Sequence, residues 1–296
     1  MPRKILSLRT FEGWFCLGWQ HLLMEGDWDM SLVMENLNRH ECVEWSKINA
    51  SGACYPKHTH EEYVISANLS GQERIWYDGK QQDVMEGEVT LYNPMTVQAS
   101  EFLGNDAQFI SVHLDGHHTC SVVGEMSSTH DLPVFVEGVI RDPDLFRSIV
   151  SLSYSDPASC EEAQLVLFSE LLRFRTTPPV PDEPLRVTHL ITFMKANLYE
   201  PIELEDLCAE ANLSKFHLVR SFKSQKHLPP MQYFKQLRLI EARRRLRLGE
   251  SPTHIAVELG FFDQAHLSNA FRKVMGTSPR SYSSMLGGVG LPINSA

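Results

Sequence analysis

Two groups of side chains near the end of the chain have the residue types that read DNA bases. Arginine can donate two hydrogen bonds to guanine, amides suit adenine, and small apolar groups contact the thymine methyl. Each group falls on the outer face of a predicted helix. The candidates are Lys215, Phe216, Val219, Arg220 and Lys223 in the first group and Gln264, Ala265, Ser268, Asn269 and Arg272 in the second.

Within these groups the residue types predict different tasks. Arg220 is the expected base reader, because its guanidinium matches guanine O6 and N7 together. Lys215 and Lys223 are expected to hold phosphates. Gln264 and Asn269 suit adenine, although they equally suit contacts to the DNA backbone. Any one of these residues could instead be a solvated surface side chain.

A helix, a tight turn and a second helix must position each group. In the first unit the turn is Asn212-Leu213-Ser214, and Leu218 with Phe222 form the inner face of the second helix. In the second unit Gly260 breaks the first helix, and Asp263 can cap the next one. The pattern predicts one connecting helix over 231–248, of roughly 27 Å, which can place both reading helices about one DNA turn, near 34 Å, apart.

This tandem arrangement strongly resembles the AraC/XylS family of transcription regulators over about a hundred residues. The resemblance implies a homodimer that binds double-stranded promoter DNA, a sensor barrel for a small-molecule effector and, in an activator, contact with RNA polymerase. A small helical bundle without DNA is the alternative for this region. The matching residues include Leu207, Leu213, Ser214, His217, Leu218, Phe222, Ala242, Leu246, Ile255, Gly260, Phe261, Asp263, Leu267, Phe271, Pro279 and Tyr282.

Four arginines crowd the later turns of the connecting helix. They could touch DNA phosphates, or they could complement the negative end of the helix before Gly249. These residues are Arg243, Arg244, Arg245 and Arg247.

The first half of the chain predicts a β-sandwich or closed barrel. Short runs of strand-forming residues at 63–69, 74–77, 89–92 and 109–114 are separated by turn signals, of which Asp78-Gly79 is the strongest. The expected fold class is α+β, with a cupin-like barrel, two flanking helices and an all-α C-terminal domain. The expected domains are 1–177, a proline-rich linker at 178–185, the DNA-binding domain at 186–286 and a tail at 287–296.

His58-Thr59-His60 resembles part of a cupin motif. A metal-binding cupin would have a glutamate where this chain has Val64, and a histidine where it has Gln98. Two imidazoles without a carboxylate or third histidine make a poor metal site, so no metal and no cofactor are expected. The effector is expected to contact His58, His60, Tyr63, Trp76 and Tyr92.

Helices predicted at 144–153 and 161–174 carry apolar stripes that usually pack on their own domain. The family resemblance implies that such helices also form the dimer interface. The residues expected there are Leu165, Phe168 and Leu172.

Charge is divided unequally along the chain. The net charge is −10, but residues from 186 onward have 15 lysines and arginines against 9 acidic residues. A basic segment gains from phosphate neutralisation, whereas the acidic first half would be repelled by the same duplex. Six scattered cysteines indicate neither a zinc site nor a disulfide framework. No signal-peptide core follows the N-terminus, which favours the cytoplasm.

These patterns predict a transcription regulator, an activator, that responds to a small molecule and is not an enzyme. An acidic, tryptophan-rich sensor hints at an aromatic or cationic effector. The alternatives are a cupin metalloenzyme with an accessory DNA-binding domain, a DNA-repair alkyl acceptor fused to such a domain, and a regulator whose barrel only dimerises.

Overall fold

The computed structural model describes residues 31–127, 132–177 and 185–287. The first half contains an eight-stranded antiparallel sheet in the order β1-β2-β7-β4-β6-β9, with β3 paired to β7 and β5 to β4. These strands are β1 (Ser31–His40), β2 (Val43–Ser51), β3 (Cys54–His58), β4 (Tyr63–Tyr77), β5 (Lys80–Val84), β6 (Val89–Tyr92), β7 (Gln98–Leu114) and β9 (Gly138–Ile140). A separate pair joins β8 (Val134–Phe135) to β10 (Arg175–Thr176).

The long strand β4 differs from the sequence prediction. The runs 63–69 and 74–77 form one strand, because the Ser70-Gly71 pair is a bulge and not a turn. Gly71 has a φ of +78°, and a Cβ there would lie 2.7 Å from the Ala107 Cα. The predicted Asp78-Gly79 hairpin is present, with Tyr77 paired to Lys80 and positive φ at both turn residues.

Helices cover one face of the sheet. The main core lies between them and inward residues such as Ile65, Ile110 and Val112. The helices are α1 (Gly116–Ser127), α2 (Pro143–Tyr154) and α3 (Cys160–Leu172). The first, which carries His117 and His118, was not predicted.

The second half is helical and contains both predicted helix-turn-helix units. The first unit is α5 and α6, the second is α8 and α9, and α7 connects them. The bounds are α4 (Leu185–Ala196), α5 (Leu204–Ala211), α6 (Lys215–Lys226), α7 (Pro230–Arg247), α8 (Pro252–Glu258), α9 (Gln264–Met275) and α10 (Pro279–Gly287). None of the helices in the described ranges is long and apolar enough to span a bilayer.

The helical half packs directly against the sheet. Leu37 of β1 belongs to the apolar core formed by α7, α8, α9 and α10. Val97 belongs to the core of the first helix-turn-helix unit, with Trp76 and Met95 packed against it. At the edge of this contact His227 and Asp78 lie 3.0 Å apart.

Several predictions concern residues outside the described ranges. They are the aromatic N-terminal segment, the proline-rich linker and most of the C-terminal tail. The predicted domain boundaries stay predictions, with α4 beginning at Leu185. None of the five cysteines within the described ranges forms a disulfide.

Candidate DNA-binding surface and interdomain cavity

The first reading helix, α6, begins because the Ser214 hydroxyl accepts a hydrogen bond from the His217 N–H. Leu218 and Phe222 are buried on its inner face. The predicted outer residues Lys215, Phe216, Arg220 and Lys223 are exposed, and Val219 is half-buried. Phe216 is 68% exposed, so its ring is accessible to a thymine methyl as the sequence predicts.

The second reading helix, α9, has the predicted cap: Asp263 Oδ1 accepts from the His266 N–H at 2.6 Å. Its inner face is buried and includes Leu267, Ala270, Phe271 and Val274. The outer residues Gln264, Ala265, Asn269 and Arg272 are exposed, and Ser268 is half-buried. Phe262, in the turn before this helix, is 90% exposed and was not among the predicted residues.

The exposed cations on α6 are not equivalent. Lys215 pairs with Glu205, whose side chain is also exposed. Arg220 has no ion-pair partner among the described residues, so its guanidinium is available to a ligand. The ten predicted DNA contacts therefore lie on two faces that the barrel leaves uncovered, and their individual contacts to DNA stay predictions.

Three of the four α7 arginines contradict the phosphate-binding alternative. Arg243 is 3% exposed and Arg245 5% exposed. Arg244 pairs with Glu241, and Arg245 pairs with Glu250 and Glu258. Arg247 has a side chain only 15% exposed, so Arg243, Arg245 and Arg247 are withdrawn from DNA, whereas Arg244 is half exposed in its surface pair.

Arg243 and Arg247 instead tie the helical half to the sheet. Arg243 donates to Glu44 and, at 3.0 Å, to Glu62. Arg247 donates to Glu62 at 2.7 Å and to Glu44 at 3.2 Å. The Tyr282 hydroxyl of α10 donates to Glu44 at 2.8 Å and accepts from Arg243 at 3.2 Å. Strand β2, the loop that precedes β4 and the helices α7 and α10 thus meet in one buried network.

The carboxylates of this network are charged at neutral pH. Burial alone would raise the pKa of Glu44, but Arg243 and Arg247 outweigh it and lower that pKa to about 2. The same balance holds the pKa of Glu62 well below its usual range. Two positive and two negative charges therefore compensate one another across the interface.

A cavity of about 70 Å³ lies between this network and the inside of the barrel. Val274, Met275, Arg243 and Tyr282 contribute from the helical half. The barrel contributes residues that include Glu44, Ser46, Tyr55, His58, His60, Ser66, Glu73, Thr90, Tyr92, Gln98, Ser100, Ser111 and His113. Within the described part of the chain, buried polar atoms of His60, Tyr92 and Gln98 have no hydrogen-bond partner. Such atoms can bind a polar ligand.

The predicted effector residues divide into two sets. His58, His60 and Tyr92 line the cavity. Tyr63 faces the other side of the sheet, where its hydroxyl donates to the Pro133 carbonyl and its ring contacts Phe135. Trp76 contacts His227 at the outer interface between the halves. These two residues are not among the cavity-lining residues, because strand alternation turns Tyr63 away and Trp76 lies at the outer contact with α6.

Glu73 gives the cavity a second buried carboxyl. Burial, partly offset by a hydrogen bond from Ser100, raises the pKa of Glu73 to about 7. A raised pKa means that the folded chain holds this proton where the unfolded chain releases it. The protonated Glu73 carboxyl therefore makes its full contribution to folding stability below pH 4.5, which is its ordinary pKa. This contribution is lost as the pH rises towards about 7.

We therefore expect Glu73→Gln to be more stabilising, relative to wild type, at pH 8 than at pH 5. The glutamine keeps the side-chain shape without the cost of a buried charge, and the difference should reach up to about 3 kcal/mol. Urea denaturation at both pH values measures it, with exposed Glu86→Gln as the control. An identical difference in free energy at the two pH values would contradict this assignment.

The histidines of the cavity are neutral. Burial lowers the pKa of His58 to about 4, and burial together with Arg243 lowers that of His113 to about 3. The ring centroids of His58 and His60 are 4.9 Å apart, and those of His60 and His113 are 5.0 Å apart. The sequence had indicated His58 and His60 without a further histidine or a carboxylate, whereas the fold places His113 and Glu62 beside His60.

The three residues predicted for the dimer interface differ in their exposure. Phe168 is buried in the core of its own domain. Leu165 is 52% exposed and Leu172 is half-buried. Of the three, Leu165 has the exposure that contact with a second subunit requires, and its role there stays a prediction.

Two family models match the chain. An AraC-like ligand binding domain matches residues 47–164, and a helix-turn-helix domain matches residues 207–285. The first match covers the sheet from the middle of β2 onward, including Glu62, and the second covers both α6 and α9.

Known proteins with similar sequences are regulators. The chain is 26% identical over 243 residues to the uncharacterized HTH-type transcriptional regulator YbfI of Bacillus subtilis, covering 78% of this chain and 88% of that one. It is 38% identical over 96 residues to the HTH-type transcriptional activator RhaS of Escherichia fergusonii, covering 32% and 34%. This second match spans only about a third of RhaS.

Solved structures share the fold. Apo ToxT from Vibrio cholerae is 13% identical, with a TM-score of 0.56, and the match covers 84% of this chain and 99% of that one. ToxT with a bound unsaturated fatty acid is also 13% identical, with a TM-score of 0.54, and the match covers 87% and 100%. A barrel and a tandem helix-turn-helix domain in one chain is therefore an observed architecture.

Proposed function

Because the chain belongs to the AraC family of DNA-binding transcription regulators, we propose that it activates transcription at specific promoters in response to a small molecule. The ligand binds in the cavity between the barrel and the helical half. The observation that carries this proposal is that the predicted outer residues of α6 and α9 stay largely exposed although the barrel packs against the helical half. The proposed site of action is the cytoplasm, where promoter DNA and RNA polymerase are.

The connector supports simultaneous reading by both helices. Helix α7 has 18 residues, which corresponds to about 27 Å. Its buried residues include Phe234 and Leu237 in the core of the first unit and Leu239, Ala242 and Leu246 in that of the second. A rigid connector of this length suits two successive major-groove segments, about 34 Å apart on one face of a duplex.

The interface supports coupling between the ligand and DNA. A ligand shifts an equilibrium only when it binds one arrangement better than another. The cavity has walls from both halves, so its shape depends on how they are docked. Binding there would change the population of the docked arrangement and with it the placement of α6 and α9. The bound fatty acid of the ToxT structure is a precedent for a ligand in this fold.

We propose a homodimer that uses the exposed side of α3. Leu165 and Val166 are exposed neighbours on this helix. Leu165→Glu should shift the wild-type dimer towards monomers, because it places a charge in an apolar contact. Sedimentation velocity measures the change, with Ser169→Glu at the edge of the same face as a milder control. An unchanged dimer in Leu165→Glu would place the interface elsewhere.

Selection of binding sites from random duplex DNA, followed by mobility-shift assays, tests the proposed function. We expect enrichment of a bipartite site and specific binding that weakens steeply with salt, as phosphate contacts require. Enrichment of no sequence, or equal binding to selected and random duplexes, would contradict it. A metabolite screen by thermal shift on the full chain then tests ligand binding separately.

A further inference from the structure

Three donors to a metal ion meet where the two halves of the protein join. The side chains of His60, Glu62 and His113 each offer one ligand atom, and these atoms lie within 4.8 Å of one another. Two imidazoles and a carboxylate are a common set for divalent transition metals. The sequence indicated His58 and His60, of which only His60 belongs to this group, and the fold adds Glu62 and His113.

The arrangement is close to what a metal needs. Tetrahedral zinc with nitrogen and oxygen ligands at about 2.0–2.1 Å separates its ligand atoms by about 3.4 Å. Shifts on the order of 1 Å would therefore close the group around an ion. His60 is 6% exposed, and its Nδ1 has no hydrogen-bond partner among the described residues. A buried ring nitrogen without a partner is the feature that a ligand would satisfy.

Arginine side chains occupy the other two donors: Arg243 lies against both, and Arg247 also donates to Glu62 at 2.7 Å. The Arg243 Nη1 donates to Glu62 at 3.0 Å and lies 3.3 Å from His113 Nδ1. A divalent cation beside a buried guanidinium would be strongly repelled, since the pair shares a low-dielectric site. The metal and Arg243 must therefore use these donors alternately.

We propose that His60, Glu62 and His113 form a site for a divalent transition-metal cation of the zinc class, and that this cation competes with Arg243 of α7 for Glu62 and His113. Occupation of the site displaces the guanidinium and loosens the helical half from the barrel. By reciprocity, docking of α7 weakens the metal site by the same factor. The consequence for transcription rests on the proposed function, whereas the metal site itself does not.

Isothermal titration of the untagged full-length chain with Zn²⁺ tests the site. We expect one ion per chain in wild type and at least about tenfold tighter binding in Arg243→Met, because one of the two guanidinium groups at Glu62 is gone and only Arg247 remains. His60→Ala and His113→Ala should lose this binding, alone and in the Arg243→Met background. Arg243→Lys keeps a charge without the guanidinium fork, so its affinity should lie between wild type and Arg243→Met.

A control separates this site from surface binding. Glu250, His254 and Glu258 also form a possible cation group, but it is largely exposed. His254→Ala should leave Zn²⁺ binding unchanged. The proposal is overturned if folded Arg243→Met binds Zn²⁺ no tighter than wild type. If Arg243→Met does not fold, the same result for folded Arg243→Lys overturns it. It is also overturned if the histidine variants of the buried site bind as well as wild type.

A second measurement tests the loosening. Small-angle scattering should show a larger radius of gyration for wild type with Zn²⁺ than without, and no change for His113→Ala. An unchanged radius at saturating Zn²⁺ would overturn the competition with docking. Mobility shifts of the metal-free protein show independently whether the chain binds specific DNA, so failure of the metal site and failure of the proposed function are distinguishable.

Discussion

Replacing Arg243 by methionine is expected to lower the free energy of unfolding by about 3–5 kcal/mol at neutral pH. The guanidinium is buried and pairs with both Glu44 and Glu62. Methionine fills a similar volume but leaves an excess of buried negative charge beside Arg247. Urea denaturation monitored by circular dichroism measures the loss.

A neighbouring arginine provides the matched control. Arg244 follows on the same helix, but its side chain is 51% exposed in its pair with Glu241. Arg244→Met should cost only about 0.2–1 kcal/mol, as exposed ion pairs do. Adding Glu62→Met to Arg243→Met should recover part of the loss, because charge balance returns. Equal costs for the two arginine variants would refute the role of Arg243 in the interface.

Alanine in place of Arg220 should weaken binding to the selected DNA site by about 1–3 kcal/mol, or roughly 5- to 150-fold. The exposed guanidinium on α6 lies on the predicted reading face, and a guanine contact there would lose both hydrogen bonds. Preference for guanine at one position of the site should relax at the same time. Quantitative mobility shifts with single-base variants of the site measure both effects.

Two further variants distinguish base reading from general attraction. Lys223→Ala should weaken all duplexes about equally and reduce the salt slope by about one, as expected for a phosphate contact. Arg141→Ala removes an exposed cation from the acidic half and should have no effect. If Arg220→Ala behaves like Lys223→Ala, then Arg220 holds the backbone and does not specify the sequence.

The helix-turn-helix units were predictable because their signals are local. Ser214 and Asp263 each cap a helix through an N–H three residues ahead. The inner and outer faces then follow from helical spacing alone. Residues such as Leu218, Phe222 and Phe271 are buried as that spacing predicts.

The role of the α7 arginines was not predictable for the opposite reason. Arg243 and its partner Glu44 are separated by 199 residues. The sequence of a run of arginines near a helix C-terminus does not show whether they bind phosphates, complement the helix dipole or pair with buried carboxylates. Arg243 and Arg247 pair with buried carboxylates only because the two halves of the protein dock.

The cavity was partly predictable. His58 and His60 were indicated by their spacing, and both line it. Glu62 and His113 were missed as partners because they follow no recognised motif spacing and meet only when β7 pairs beside β4. Aromatic content gave no means of deciding which face of the sheet Tyr63 occupies, since register sets that face.

Hydroxyl-radical footprinting of the full chain on its selected site tests the central claim most directly. We expect two protected segments per subunit, centred about 10–10.5 base pairs apart on one face of the duplex, as two docked reading helices require. Arg220→Ala should weaken protection at the segment read by α6 first. One segment only, or two on opposite faces of the duplex, would contradict the claim that α6 and α9 read the same DNA together.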